Sequence, residues 1–530
     1  MKILGFEIKR SANEGIQAPQ KKASYPDTII PIGTTVLSFD GERTLGEMGP
    51  AVNYIPNYYV LSTRSWQAYA DAPLAKAIID KWIGWILDTG LKIKTNPSKI
   101  VLETEGISLD KIQTEKFNDI VESRWDIWAN SKLSSFSGEE TFNELSKTVY
   151  LNSKISGDCL VVLRYVDGMV KVQYIDGARI SNPKIANGLM PNGNIMSNGV
   201  EISPMNRHVA YHVRTKDALT HEEIPAYSQA TGMRMAFLVK GSKWRIDYHR
   251  GMPVIATALE TLSKMDKYHS ATVSSAEEVA KIAFQVVHQN FSDGSTPLAN
   301  NLAKAFSTDG NSLPSDDAGN ELANRIAVTT NKTAFNNPKG SEIKTIQQSN
   351  NLQGFGEFYG KNADIVCAMV GIPPNVALSV YNDSFSASRA ATKDWDHTID
   401  VQRDDYTQQC LVYIYKFWLY TEILKNKIPA NGYLEAVINK NYMVTESYEQ
   451  MRMTGPHFPH IDPLKEVKAE REKLGALGKN IPLTTAELAT EALGGGDSDS
   501  NIEQFSDEVK TAESFGLVEK PKEAPQPPQP

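Results

Sequence analysis

The side chains with the most chemical potential fall into a few clusters. His457-Phe-Pro-His460-Ile-Asp462 offers the residue types that bind zinc or iron, and a metal-dependent hydrolase using His457, His460 and Asp462 is one remote reading. Two prolines put this cluster in a loop, no fourth ligand is evident, and Asp462 is placed to cap the helix that follows. His208 and His212 share a strand face, but roughly 13 Å separates such positions, too far to share one ion. There is no Gly-x-Ser-x-Gly elbow and no phosphate loop of the Walker type. Gly354-Phe-Gly356 lies within a helical pattern and lacks the preceding strand of a dinucleotide fold. The acidic pairs Glu139-Glu140 and Asp404-Asp405 read as solvated charges, and the eight tryptophans as core. These patterns argue against an enzyme, and none of them calls for a cofactor or a metal.

One polar segment stands out, Tyr381-Asn-Asp-Ser-Phe-Ser-Ala-Ser-Arg389-Ala-Ala391. The hydroxyl groups of Ser384, Ser386 and Ser388 and the amide of Asn382 can hydrogen-bond phosphates without reading base sequence, with Asp383 in the same presented segment. Arg389 and Lys393 add modest positive charge, and Phe385 supplies an apolar bumper. The bland reading of this segment is a plain connection between two helices.

The elements around that segment are long. Pro73–Leu87, Asp110–Ala129, with Ile112, Phe117, Trp125 and Trp128 on its apolar side, and 139–156 have helical spacing. Cys159–Val166, the turn Asp167-Gly168 and Met169–Ile175 read as a β-hairpin. Ile180, Gly199–Ile202, His208–Val213 and Ala236–Val239 continue the β character, and Thr215–Arg234 reads as a loop. Pro253 then opens a helical pattern reaching Gln289, which would be roughly 55 Å long. Residues 290–350 are rich in Asn, Ser, Gly and Asp, with a short helical piece at Leu298–Phe306. Leu352–Val370 returns as a helix, and an aromatic-rich helix follows the polar segment as far as Ile428. Short helices are expected at Ile461–Glu470 and Thr484–Leu493.

At 530 residues, 41% hydrophobic and 22% charged, the chain has the composition of a soluble multidomain protein. No apolar run approaches the ~18 residues of a membrane span, so no membrane partner is expected. Met1–Arg10 does not read as a signal peptide. Three scattered cysteines read as buried thiols. Of the net charge of −8, the stretch 494–530, with eight acids and three bases, carries −5. The body is near neutral, so any contact with DNA must be loose rather than a tight grip.

Seven pieces in order resemble the portal proteins of tailed bacteriophages, of the lambda-like type. They are Trp125-x-x-Trp128-Ala, Gly157-Asp-Cys-Leu-Val-Val, Ile175-Asp-Gly-Ala-Arg-Ile-Ser-Asn-Pro183, Gly199-Val-Glu-Ile with Ala210-Tyr-His-Val213, Arg250-Gly-Met-Pro253, Phe385-Ser-Ala-Ser-Arg389 and Ile461-Asp-Pro-x-Lys-Glu-x-x-Ala469. The resemblance implies an α+β, mostly helical portal fold. It would have an irregular arm (1–60), a wing of helices and β structure (61–251), and two stem helices (252–289 and 351–371) flanking a small mixed clip module (290–350). A tunnel loop (372–388), a long wing helix (389–428), a crown-like helical region (429–493) and a disordered acidic, Pro-rich tail (494–530) would follow. It also implies a homo-oligomeric ring, usually of twelve subunits, at one capsid vertex of the virion, assembled in the host cytoplasm. Its partners would be the terminase large subunit, head–tail connector proteins, the major capsid and scaffold proteins, and double-stranded DNA held without sequence specificity. A head-completion or minor capsid protein without a channel is the alternative.

Overall fold

A computed structural model describes residues 58–183, 187–217, 220–281, 354–380, 385–455, 463–475, 482–494, 496 and 498–515. It also describes short paired strands at 2–3, 6–7, 36–37, 43–44, 285–288 and 341–344. The architecture is α+β. The chain divides into a larger unit, 1–260 with 367–530, and a smaller one, 261–366.

The larger unit is organised around two antiparallel sheets. In the three-stranded sheet Asp158–Val166 lies between Ala236–Lys240 and Met169–Asp176. The central strand is buried from Asp158 to Leu163, which explains its unbroken apolar run. The expected hairpin turn is present: Asp167 and Gly168 both have positive φ, as a two-residue turn matched to strand twist requires. The five-stranded sheet has the order His221–Pro225, His208–Arg214, Val200–Ile202, Ile195–Ser197, Gly188–Leu189. A shared core of Leu160, Val162, Ile175, Val200, Tyr211 and Leu238 joins strands of both sheets. The loop expected over Thr215–Arg234 is corrected here, because His221–Pro225 is an edge strand. Only Ile224 of that strand is buried, and the charged edge hides the alternation that marks other strands.

Helices cover these sheets. Tyr58–Asp71, Pro73–Ile86, Lys111–Ala129 and Phe142–Ser156 precede the first long strand. Capping boxes start two of them, Asp110 with Gln113 and Thr141 with Glu144. The later aromatic-rich helix runs from Phe385 to Tyr406, through a π-helical turn at Thr407–Leu411, and on to Leu424. It therefore begins earlier than position 389 and ends before Ile428. Its aromatic residues find partners on the N-terminal helices: Trp125 lies 5.2 Å from Trp418 and 5.8 Å from Tyr415, and Trp82 lies 6.4 Å from Trp395. Such ring pairs add about 0.5–1.5 kcal/mol each beyond the area they bury. Ile112, expected on the apolar side, is instead 73% exposed.

Arg403 ties the same helix to the end of another. Its Nε and Nη2 donate to the carbonyls of Ile86 and Trp85, each at 2.9 Å, satisfying free C=O groups at the end of Pro73–Ile86. A two-stranded ladder, Lys92–Thr95 with Met451–Thr454, joins sequence-distant regions, and the spacing gave no hint of it. Pro463–Leu474 and Ala486–Ala492 are helical, the latter capped by Thr485. The expectation of a disordered tail from 494 is corrected in part, since Ser498–Ser514 is a helix. Ile502, Phe505, Val509 and Ala512 recur at helical spacing along one side of it, and the acidity of the segment masked that stripe. All three cysteines are buried free thiols. No helix among the described residues is long and apolar enough to cross a membrane.

The first expected rod, whose chain leads from the larger unit into the smaller one, is shorter than its pattern. Val254–Ala258 is a 3-10 turn and Leu259–Lys281 an α-helix of 23 residues, roughly 35 Å long. Gln285–His288 is then a strand, paired antiparallel with Ser341–Lys344. The β-branched pair Val286-Val287 prefers this ladder to a further helical turn. The returning helix is Phe355–Val370. Within this unit the Tyr268 ring stacks on Phe355 at 5.6 Å and meets Phe358 at 4.6 Å, so the two helices touch side by side. The helical piece expected at Leu298–Phe306 lies outside the described residues, as does the rest of 290–340.

Lys154 supplies a test of the larger unit's packing. Its Nζ is buried, donates to the carbonyl of Gly241 (3.2 Å) and to Gln402 Oε1 (3.1 Å), and lies over the Tyr150 ring. Burial pushes its pKa down to about 8, partly opposed by Asp405. The folded pKa is below the unfolded one, so between pH 8 and 10.5 the unfolded chain holds more protons. The cost of burying this charge is therefore fully present below pH 8 and fades as pH rises. The stability of the native chain relative to Lys154→Met should accordingly increase by about 2 kcal/mol between pH 7.5 and 10, measured by urea unfolding of both proteins. A pH-independent difference would show that the lysine is not desolvated.

Candidate functional site

The polar segment expected to carry function is flanked by two helix ends. The Phe355–Val370 helix stops at Gly371, whose φ of +81° permits Ile372 N to donate back to Cys367 O at 3.1 Å. Pro373 and Pro374 then start a short helix, Pro374–Leu378. Ser379 has a φ of +55°, an uncommon conformation for a residue with a side chain. Leu378 and Val380 on either side of it are 44% and 48% exposed. The chain thus presents two apolar side chains to solvent just before the segment.

Asn382, Asp383 and Ser384 lie outside the described residues. The expected loop over 372–388 is shortened from its far end, because the helix begins at Phe385 and includes Ser386 and Ser388. The Ala-rich run behind them favours helix over loop. Arg389 and Lys393 are exposed, four residues apart and hence on one helix face. Arg389 Nη2 lies 3.7 Å from Glu466 Oε1, so its charge is shared with a neighbouring helix. Lys393 forms no ion pair among the described residues. Two residues on, Trp395 is fully buried and anchors the helix. The proposed metal cluster His457, His460, Asp462 is outside the described residues, and among the described ones no group of three His, Cys, Asp or Glu side chains is placed to hold an ion. His208 and His212 take separate partners, Tyr211 Oη at 3.0 Å and Glu201 at 3.4 Å.

The pieces of sequence that carry the resemblance converge elsewhere, on a buried ion pair. Asp158 follows Gly157 at the head of the central strand, and Arg250 precedes Gly251 in the approach to the long helix. Arg250 Nε and Nη2 donate to the two Asp158 oxygens at 2.7 and 2.8 Å, a bidentate fork. The remaining guanidinium protons go to the carbonyls of Ile180 (3.0 Å), Asn198 (2.8 Å) and Gly177 (2.7 Å), so all five donors are used. Asp158 also accepts from Tyr58 Oη at 2.6 Å and from Gly251 N at 2.9 Å. The Tyr58 ring lies 3.8 Å beneath the guanidinium carbon. Both charged side chains are sealed, at 2% and 0% exposure. Burial pushes the Tyr58 hydroxyl well above its ordinary pKa, with the Asp158 charge adding to it. Burial acts to depress Arg250, but the charge and hydrogen bonds of Asp158, with Tyr58 and Tyr59 adding to them, together outweigh it and the net shift is upward.

Glycines make this approach possible. A Cβ on Gly251 would collide with the carbonyl of Gly157, and one on Gly177 with the Asp158 carboxylate. The knot thus pins a helix start at Tyr58, a strand head at Asp158, a 3-10 turn at Gly177 and the loops at Asn198 and Arg250, five regions of sequence. The sequence motifs do not by themselves reveal that they meet; the acid and the arginine beside close-packed glycines are the available signal. Nothing here is open to a substrate, so the knot is structural. Asp158→Asn should leave Arg250 buried without a counter-charge and cost about 3–5 kcal/mol in denaturant unfolding. The paired change Asp158→Asn with Arg250→Met should cost less than the sum of the single changes; additive losses would mean the two side chains act independently.

The family model for phage portal proteins of the lambda family matches residues 44–403, which takes in the knot, both sheets and the polar segment. A search of curated proteins gives no match. Among solved structures, the fold is similar to a chain of the virion of a native gene transfer agent particle, with 12% identity, a TM-score of 0.43, and coverage of 83% of this chain and 94% of that one. A chain in the neck of an empty gene transfer agent particle gives 10% identity, a TM-score of 0.44, and coverage of 87% and 96%. An HK97-family phage portal protein from Corynebacterium diphtheriae gives 10% identity, a TM-score of 0.29, and coverage of 63% and 84%. On the family match, which spans more than half of its length, this chain belongs to the lambda family of phage portal proteins.

Proposed function

We propose that copies of this chain close into a ring, of about twelve subunits, at one vertex of a capsid. Double-stranded DNA would be driven through its centre by a terminase during packaging and would leave through it on ejection. Neck and tail proteins would attach to it, and the chain itself would be structural rather than catalytic. Membership of the portal family is the observation that carries this reading. Three features are in keeping with it. The smaller unit holds two long helices in side-by-side contact through Tyr268 and Phe355. The net charge of −8 is concentrated in the C-terminal stretch, so DNA would slide past the body rather than be gripped. Ile112 and Ile127 stand 73% exposed on one helix, apolar surface that a neighbouring copy would cover.

In this reading 379–389 forms the finger that meets passing DNA. Asn382, Asp383, Ser384, Phe385, Ser386 and Ser388 would touch the duplex, with Arg389 and Lys393 behind them. Light scattering coupled to gel filtration should give a particle near a dozen times 58.6 kDa. Deleting 381–387 should leave that mass unchanged and impair DNA retention in a packaging assay. A stable monomer would point to a head-completion protein instead, and normal packaging by the deletion variant would remove the finger from the path of DNA.

A further inference from the structure

A second feature of the larger unit is not explained by ring formation. A cleft of about 550 Å³ opens where the end of the Ala236–Lys240 strand meets the aromatic-rich helix. Arg207, Arg234, Lys240 and Lys243 line it, with His208 beside them. Among the described residues none of these four cations is in an ion pair. Their partners are neutral. The Arg207 guanidinium lies 3.6 Å from the centre of the Tyr227 ring, and Arg234 donates to Tyr413 Oη at 3.3 Å and Tyr211 Oη at 3.5 Å. Cation–ring and hydroxyl contacts hold the guanidiniums in place without neutralising them.

The groups also disturb one another. Burial, then the charge of Lys243, pushes Lys240 down to about 8. Burial and the nearby Lys240 push His208 to about 3 and His249 to about 4, so both imidazoles are neutral near pH 7, their rings 5.6 Å apart. The opposite wall is the π-helical turn at Thr407–Leu411, which places Gln408 and Gln409 on the cleft. Gln409 Oε1 accepts from the Lys240 backbone N at 2.9 Å, and its amide nitrogen donates to both Asp405 oxygens at 2.8 Å. A π turn within an α-helix is a costly irregularity that recurs at functional sites.

We propose that this cleft binds a phosphate group, either free or carried on a nucleic-acid backbone. Four cations facing one acid, Asp405, leave more positive charge than a single carboxylate would offset, whereas a phosphate brings up to two negative charges and three or four acceptor oxygens. The two arginines offer planar forks and the two lysines point charges, the combination suited to phosphate oxygens. The proposal does not depend on the ring reading, because it rests on the cleft of a single subunit.

The test uses the full-length chain in two arms, inorganic phosphate and a short DNA duplex. In the first arm, thermal unfolding is followed as phosphate is raised against potassium chloride of equal ionic strength. The expected result is a saturable rise in Tm for the native chain and for Lys116→Met, an exposed control outside the cleft. Arg207→Gln with Lys243→Met, two exposed positions whose loss should spare folding, should weaken the response at least about tenfold. In the second arm, fluorescence anisotropy measures duplex binding by the same variants. A phosphate response lost in the double variant supports a free-phosphate site. Absence of that response, with duplex binding that weakens in the double variant, supports a backbone-phosphate site. The proposal is overturned if neither ligand binds, if potassium chloride alone reproduces the shift, or if the double variant responds like the native chain.

Discussion

The buried pair Asp158–Arg250 is the constraint around which the larger unit is arranged. A charge removed from water is tolerated only when every donor and acceptor around it is met. Arg250 meets that condition by drawing in the carbonyls of Gly177, Ile180 and Asn198, and Asp158 by taking Tyr58 and Gly251. None of these groups can shift without leaving an unsatisfied charge. The relative placement of the first helix, the central strand and both sheets is thereby specified to within a hydrogen-bond length. Apolar packing alone would tolerate small slips between these layers. The glycines at 157, 177 and 251 follow from the same demand, since the charged groups must approach backbone closely.

Much of this architecture was legible because its signals are local. The hairpin of Asp158–Asp176 announces itself by an apolar run, an alternating second strand and Asp167-Gly168, and the helices at Pro73 and Lys111 by periodicity and by a starting proline or capping box. What escaped was set by distant partners. Lys92–Thr95 and Met451–Thr454 are each four residues long and become strands only by finding each other. His221–Pro225 hides under charge, and Ser498–Ser514 hides a helical stripe under acidity. The pattern through Val286 is helical by spacing yet ends as a strand, because Ser341–Lys344 offers a ladder that no local rule could anticipate.

The site was less legible than the fold. Small polar residues and a following arginine marked 379–389 as a presented segment, and exposed Leu378 and Val380 accompany it. The proximity of Glu466 to Arg389 could not be read, since it depends on a helix more than seventy residues further on. The basic cleft was invisible for the same reason: Arg207, Arg234, Lys240 and Lys243 belong to separate turns and strand ends, and no run of positive charge appears in the sequence.

The ladder that sets His288 opposite Ser341 has a consequence for how such a chain can diversify. Chain ends already held together at a paired base make the entropic cost of a longer excursion small, about 0.6 kcal/mol for each doubling of its length. The ladder thus makes the length of chain between its two strands a weak determinant of stability, so that a change of length there costs Leu259–Lys281 and Phe355–Val370 little.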